Sequence, residues 1–162
     1  MSEKYDITFA GAGLAAVSLA VRLAELPNPP RILLVDPRTE LRHDRTWCHW
    51  QLQPTPFDPA ITHLWRNWIV RTPTIGTIAA ATVHTPYVRI PSDRFHEIAS
   101  AKLTASPHVT FFQGASVETI ENHPDHTQLQ LSDGQRIEST WTFDTRPPQK
   151  DNAPWRQIFR GL

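Results

Sequence analysis

The first 36 residues contain the pattern that most restricts the fold: two short apolar segments joined by a glycine turn and a longer apolar segment. Residues 5–10 (YDITFA) and 31–35 (RILLV) have the nearly continuous apolar composition of buried parallel strands. Between them, Gly11 and Gly13 interrupt the first strand, and residues 14–26 have the composition of a buried helix that ends at a group of prolines. The pattern predicts a βαβ unit, whose crossover is almost always right-handed.

The remainder of the sequence predicts a smaller antiparallel sheet added to this unit, so the expected fold class is α/β of the Rossmann type. Residues 37–86 show no clear hydrophobic period, whereas the segments that follow are better defined. The further predicted elements are strands at 68–71 and 75–83, a helix at 92–103 with Ser92 as its N-cap, strands at 109–113 and 116–120, and a hairpin of 127–131 and 136–143 that turns at Asp133 and Gly134.

Charge and cysteine content restrict the possible partners and the compartment. Sixteen basic and sixteen acidic residues cancel, so the chain has no net field that would attract nucleic acid. The one cysteine, Cys48, excludes an internal disulfide framework and is typical of a reducing compartment. The apolar residues 7–21 lack the positive lead-in of a signal peptide and are too few to span a bilayer. We therefore expect a cytoplasmic protein that binds no nucleic acid, with secretion left as the alternative.

The segment GAGLAA at residues 11–16 has the G-x-G-x-x-A form of the dinucleotide fingerprint. Gly11 permits the tight turn, Gly13 lets the backbone approach a pyrophosphate, and Ala16 allows the helix to pack closely on the strand. Asp36 ends the second predicted strand, where an acid can hold ribose hydroxyls and would repel a 2′-phosphate. The alternative is a small-residue helix packed on a sheet without any ligand. The motif alone does not distinguish FAD from NAD.

Residues 44–50 (DRTWCHW) form a second unusual segment, which we predict to be a loop. Its tryptophans either pack the loop onto the protein or form an aromatic wall beside a flat ring system. A metal site built from His43, Cys48 and His49 is disfavoured, because adjacent ligands do not have the usual spacing. Cys48 has no evident partner base, so we expect a small buried hydrophobic residue rather than a nucleophile.

These residues resemble the N-terminal half of the lycopene cyclases, which are flavoproteins of carotenoid biosynthesis. The resemblance begins with GAGLAA, RILLVD and the TWCHW segment. Further segments match the family in the same order: YVRIPS at 87–92 with Phe95 after it, SVE at 116–118, FDTRP at 143–147 and WRQIFRG at 155–161. The resemblance covers essentially the whole chain.

The resemblance implies an activity and a cofactor. FAD, held reduced with NAD(P)H as the reductant, would assist the acid-catalysed closure of the linear ends of lycopene, or a related linear carotenoid, into β-rings without net redox change. The implied contacts are Gly11, Gly13 and Asp36 with the ADP part of FAD, Thr46 and Trp47 with the flavin, and Val117 with the adenine. Asp144 and Arg146 would lie under the active site in a catalytic role, although such a pair is equally typical of a structural salt bridge.

Lycopene cyclases continue well beyond the position of Leu162. The resemblance therefore implies that residues 1–162 are the N-terminal FAD-binding portion of a larger flavoprotein, without a second complete domain. The continuation carries the substrate tunnel and a glutamate-rich segment thought to supply the acid, so no catalytic acid is assigned here. Because lycopene dissolves in bilayers, peripheral contact with the inner face of the cytoplasmic membrane is also implied. Two alternatives remain open: an FAD-dependent monooxygenase or reductase of the same fold, and a non-catalytic remnant.

Overall fold

The computed structural model of the chain describes residues 3–40 and 45–147, which form two α-helices, eleven strands and a short 3₁₀ helix. In chain order the elements are β1 (Glu3–Ala10), α1 (Leu14–Ala24), β2 (Ile32–Asp36), β3 (Thr46–Trp50), the 3₁₀ helix (Asp58–Ala60), β4 (His63–Trp65), β5 (Asn67–Thr72), β6 (Gly76–Ala81), β7 (Tyr87–Pro91), α2 (Ser92–Thr104), β8 (Val109–Gln113), β9 (Val117–Asn122), β10 (Thr127–Leu131) and β11 (Arg136–Asp144).

Six strands form the main sheet, in the order β8-β2-β1-β11-β10-β9. Strand β1 pairs in parallel with β2 on one side and with β11 on the other, and β8 pairs in parallel with β2. Strands β11, β10 and β9 complete the sheet as antiparallel neighbours. Helix α1 makes the crossover from β1 to β2, so the predicted βαβ unit and the α/β fold class are confirmed.

The main sheet carries an apolar core on each of its faces. All five residues of β2 are buried, and their side chains alternate between the two faces. Ile32 and Leu34 pack with α1, α2 and the 3₁₀ helix, while Leu33 and Val35 pack with side chains of β9, β10 and β11. This alternation fixes the register of β2, because a slip of one residue would exchange the two sets of side chains.

The predicted loop at residues 44–50 is wrong, because Thr46–Trp50 is a strand. Strand β3 pairs antiparallel with β7 over its full length, and β4 pairs with the other edge of β7. The partner strand lies about forty residues further along the chain, so a local pattern could not reveal the pairing. Cys48 is exposed on β3, which also contradicts the expected buried cysteine. Strands β5 and β6 form a separate antiparallel hairpin.

The start of α2 differs from the prediction in a second way. Pro91 is the N-cap, and Ser92 is the first helical residue, with no side-chain capping bond at this end. Instead, the Ser92 side-chain oxygen accepts a hydrogen bond from the Arg45 amide at 3.2 Å, and the Ser92 amide donates to the Arg45 carbonyl at 3.0 Å. Ser92 therefore ties the start of α2 to the residue that precedes β3.

The other predicted elements are confirmed with small changes at their ends. The predicted strands at 109–113 and 127–131 coincide with β8 and β10. The turn at Asp133 and Gly134 joins β10 to β11, and Gly134 has a positive φ of 88°. Strands β4 and β7 lie where the sequence predicted none, since both depend on pairing within the smaller sheet.

Candidate functional site

A cavity of about 390 Å³ opens where β1 and β2 end. It is lined by the glycine turn at residues 11–13, the end of β2 with Pro37 and Arg38, Arg45, the start of β9, and residues 145–147. Ligands of open α/β sheets bind in this position, outside the carboxyl ends of the parallel strands. The cavity is therefore the candidate site.

The two glycines of the turn have different physical reasons to be glycine. Gly11 has a φ of +101°, and a Cβ at this position would lie 2.9 Å from the side-chain oxygen of Thr145. Gly13 has an ordinary φ of −80°, and a Cβ there would meet no protein atom within 4 Å. Neither its conformation nor its protein neighbours require glycine at position 13. The space beside it belongs to the cavity, as expected where a ligand approaches the backbone.

Helix α1 begins beside this cavity, which its N-cap residue lines. Gly13 is the N-cap and makes no side-chain capping bond, and the first turn contains no acidic residue. The first amide groups of an α-helix have no acceptor within the helix, so this end attracts an anion such as a pyrophosphate. Ala16 is buried in the core on the sheet side, in agreement with its predicted role in close packing.

Asp36 fixes the far wall of the cavity. Its side chain is buried, and one carboxylate oxygen accepts the Ala12 amide at 2.8 Å. Arg38 donates to both carboxylate oxygens, with its Nε 2.8 Å from Oδ1 and its Nη2 3.0 Å from Oδ2, and its own amide donates to Oδ1 at 3.0 Å. Burial raises the pKa of the Asp36 carboxyl, but these hydrogen bonds from Arg38 and Ala12 outweigh it and hold the pKa below its ordinary value.

Asp144 and Arg146 lie at the end of β11, on the side of the cavity opposite Asp36. The Arg146 guanidinium donates to both Asp144 oxygens at 2.8 Å, and its third contact is the carbonyl of Val117. These hydrogen bonds from Arg146 hold the pKa of the Asp144 carboxyl below its ordinary value, although partial burial opposes the shift. The pair therefore connects the end of β11 to the first residue of β9.

Thr145, between these two residues, connects the same segment to the glycine turn. Its amide donates to the Ala10 carbonyl at 3.0 Å, and its hydroxyl lies 3.1 Å from the carbonyls of Ala10 and Gly11. Residues 144–146 thus hold both the glycine turn and β9 in place around the cavity.

The structure brings only part of the predicted site together. Gly11, Gly13, Asp36, Val117 and Arg146 line the cavity, and Asp144 holds Arg146. The residues that sequence reasoning missed are Arg38, Arg45 and Thr145. The one available signal was the basic residue two positions after Asp36. Arg38, Arg45 and Arg146 all line the cavity, where Arg38 pairs with Asp36 and Arg146 with Asp144. A group of guanidinium donors suits an anionic ligand.

Thr46 and Trp47 do not line this cavity. Trp47 packs on α2, with its ring centroid 5.2 Å from that of Phe95 and 6.0 Å from that of His96, while Thr46 is exposed. Their contact with a flavin stays a prediction. Residues 41–44, with His43, and the segment at 155–161 lie outside the described residues. Across 3–40 and 45–147 no three His, Cys, Asp or Glu side chains are grouped as metal ligands would be.

The parallel sheet, the glycine turn and the acid that ends β2 define a Rossmann-type dinucleotide-binding fold. The chain belongs to the lycopene cyclase family, because the family's sequence profile, described as "Lycopene cyclase protein", matches residues 6–162. The resemblance inferred from the motifs is thereby confirmed. A lycopene beta-cyclase from Pantoea ananas is 28% identical over 151 residues, which cover 90% of this chain and 36% of that protein.

Solved structures with the same fold include monooxygenases and a halogenase. The p-nitrophenol 4-monooxygenase PnpA from Pseudomonas putida DLL-E4 superposes with a TM-score of 0.70 at 12% identity, over 90% of this chain and 41% of that one. The halogenase PltM, solved in complex with phloroglucinol and FAD, superposes with a TM-score of 0.59 at 15% identity, over 88% of this chain and 34% of that one. At these identities the likeness establishes the fold.

We predict that Asp36→Asn lowers the free energy of unfolding by about 1–3 kcal/mol at pH 7, because the amide cannot replace the charged acceptor of Ala12 and Arg38. The folded state holds the Asp36 pKa below the value of about 3.9 in an unfolded chain. The stabilisation is therefore complete above that unfolded value and is lost as the pH falls through the folded pKa. Urea denaturation from pH 7 down to pH 3 measures both effects.

Glu118→Gln is the matched control, since Glu118 is an exposed acid on β9, directly after Val117, and is not a lining residue of the cavity. If the free energies of unfolding of wild type and Asp36→Asn differ by the same amount across this pH range, Asp36 is not the ionised, hydrogen-bonded group that the structure shows.

Proposed function

We propose that this chain is the FAD-binding part of a lycopene β-cyclase-type isomerase, which closes the linear ends of lycopene into β-rings. The observation that carries the proposal is the family match over residues 6–162, because it includes the glycine turn, β3 and the segment at 144–146 together. Fold alone would not choose this activity, since monooxygenases and halogenases share the architecture. The chain spans 36% of the length of its curated relative, so the activity proposed is that of the whole family protein.

The residues around the cavity fit the ADP part of FAD. The start of α1 and the arginines provide donors for the pyrophosphate, and Gly13 leaves room for its approach. Val117 would lie beside the adenine at the other end of the cavity. When bound, reduced FAD, maintained by NAD(P)H, would supply an electron-rich ring that stabilises positive charge during ring closure.

Asp36 would hold the ribose hydroxyls only after a rearrangement of Arg38. Each carboxylate oxygen already accepts two hydrogen bonds, from Ala12 and Arg38 at Oδ2 and from two groups of Arg38 at Oδ1. This uses the roughly four acceptor positions of a carboxylate. Ribose binding therefore requires the Arg38 side chain to release at least one oxygen, after which its charge is available to the pyrophosphate.

Neither carboxyl group at the cavity, Asp36 or Asp144, is suited to deliver the proton. Asp36 is the one buried acid among the described residues, and the pKa values of Asp36, Asp125 and Asp144 all lie below their ordinary values. A general acid that protonates a double bond needs a raised pKa. We propose that the acid and the cavity for lycopene belong to parts of the family protein other than the described ranges.

Two other functions remain as alternatives. An FAD-dependent monooxygenase or reductase would use the same cavity, and a remnant without catalysis would keep the fold alone. We also propose a peripheral location at the cytoplasmic face of the membrane, because lycopene dissolves in the bilayer. Within 3–40 and 45–147, neither helix has the length and apolar character needed to cross a membrane.

Gly13→Ala should weaken FAD binding by at least about tenfold, because a methyl group would occupy the space that the pyrophosphate needs. The same variant should lose less than about 1 kcal/mol of folding stability, since the φ at this position suits alanine. Gly11→Ala should instead destabilise the fold by about 1–3 kcal/mol. FAD titration by fluorescence and urea denaturation separate the two effects.

Gly76→Ala is the matched control, because Gly76 has a φ of +79° with open space around it and lies outside the cavity. If Gly13→Ala and the wild type bind FAD with equal affinity, the pyrophosphate does not lie beside Gly13.

Arg146→Met tests whether the Asp144–Arg146 pair positions the cofactor or acts on the substrate. A positioning role predicts an FAD affinity that falls roughly threefold to tenfold, the loss expected for one or two partly exposed hydrogen bonds. Arg136→Met is the control, since Arg136 bonds Gln130 away from the cavity. Unchanged FAD affinity with lost ring closure would favour the catalytic role instead.

The activity itself is tested in a lycopene-accumulating bacterium. We expect β-carotene or γ-carotene when this chain is co-expressed with the remaining part of a related β-cyclase, and no cyclised product from either polypeptide alone, because neither would hold both the cofactor and the acid. Chromatography of the pigments gives the readout. Oxygenated carotenoids would favour the monooxygenase alternative, and lycopene alone in the co-expressing strain, with FAD-loaded protein, would contradict the cyclase assignment.

A further inference from the structure

Exposed apolar side chains concentrate in one short part of the chain. Seven of the thirteen large hydrophobic side chains that are exposed in the described ranges lie between residues 64 and 83. We call these seven the hairpin surface: Leu64, Trp65, Ile69, Val70, Ile75, Ile78 and Val83. Ile75, between β5 and β6 at the tip of the hairpin, is 70% exposed. An apolar area of this kind marks an interaction site or an aggregation hazard.

The charges in the same region have a single sign. Residues 59–92 contain no aspartate or glutamate, although the whole chain has sixteen of them. The same residues include Arg66, Arg71 and Arg89 and two histidines. Although the net charge of the protein is balanced, residues 59–92 are a basic segment without acids, and this segment contains the whole hairpin surface. Such a region is electrostatically complementary to an anionic partner.

Both faces of the hairpin are apolar, which limits the kind of partner. Ile69 and Val70 are successive residues of β5, so their side chains point to opposite faces, and they are 60% and 45% exposed. Ile78 lies opposite Val70 on the neighbouring strand and is also exposed. A protein partner packed on one face would require only one apolar face. A hairpin whose tip enters an apolar medium requires both.

Aromatic side chains surround the base of the hairpin. Trp50, Trp65, Trp68 and Tyr87 line an open groove of about 260 Å³ together with residues of β5. The Trp50 ring centroid lies 6.1 Å from that of Trp68 and 5.0 Å from that of Tyr87. Tryptophan and tyrosine are enriched where a membrane protein meets the headgroup region, with an apolar segment on one side and water on the other.

We infer that the β5–β6 hairpin is a membrane-docking element that inserts its tip into the headgroup boundary of an anionic bilayer. Insertion is shallow, because a two-stranded hairpin has unpaired backbone groups along its edges that hydrocarbon cannot satisfy. The arginines lie against anionic headgroups, and the aromatic groove lies at the interface. The inference rests on the proposed function and deepens it, because docking of the hairpin would bring the protein to the bilayer in which lycopene dissolves.

Vesicle flotation tests the inference without FAD or carotenoid. We expect the wild-type chain to bind vesicles that contain phosphatidylglycerol, and to bind pure phosphatidylcholine vesicles at least about tenfold more weakly. The double variant Ile75→Glu, Ile78→Glu should lose at least about tenfold in binding to the anionic vesicles, because two apolar side chains no longer enter the boundary. Arg71→Glu should weaken binding to anionic vesicles and leave binding to neutral vesicles unchanged.

Leu26→Glu is the matched control, since Leu26 is 48% exposed and lies after α1, outside the basic region. Circular dichroism establishes that each variant is folded. Absence of wild-type binding to either vesicle type, or an equal loss in Leu26→Glu, would overturn the inference. The inference would also be overturned if the double variant changed from oligomer to monomer while its vesicle binding stayed unchanged. The hairpin surface would then be a contact between copies of the chain. FAD affinity and ring closure are measured separately, so failure here leaves the cyclase assignment standing.

Discussion

The arrangement of the cavity depends on the hydrogen bonds that the buried Asp36 carboxylate accepts. Through the Ala12 amide, Asp36 joins the end of β2 to the glycine turn that follows β1. Asp36 also holds the Arg38 guanidinium beside the glycine turn, where Arg38 Nη2 donates a hydrogen bond to the Ala12 carbonyl at 3.0 Å. A buried carboxylate is tolerated only when such bonds satisfy it. Thr145 fixes the other side of the turn, so the backbone at Gly13 is presented to the cavity by contacts on both sides.

The fold was predictable where a local pattern determines the structure. The sequence from β1 to β2 shows its strands, turn and helix directly, because burial on both faces makes the strands apolar throughout. Strand β3 was mistaken for a loop because its structure depends on pairing with β7, and four of its five residues stay exposed. Ser92 looked like a helix cap, yet its hydroxyl is used by Arg45, a residue 47 positions away. Such long-range contacts leave no periodic signal in the sequence.

The candidate site was predictable to a similar extent and for similar reasons. The fingerprint located Gly11, Gly13 and Asp36, since each is required by local geometry or by the expected ligand. Arg45 and Thr145 reach the cavity from distant segments, so their position follows only from the assembled sheet. The structural role of the Arg146 side chain also follows only from the assembled sheet, because its contact with Val117 joins the end of β11 to β9.

The chemistry of the cavity explains why a proton donor is expected elsewhere in a cyclase. Arginine side chains and backbone amides that suit an anionic ligand also stabilise the ionised form of a carboxyl beside them, and the lowered pKa values of Asp36 and Asp144 follow this rule. A carboxylic acid that protonates an alkene needs the opposite surroundings, which are apolar and free of cations. One small cavity cannot provide both environments. In a lycopene cyclase, the acid must therefore lie away from the ADP end of the cofactor, in surroundings as apolar as the substrate it protonates.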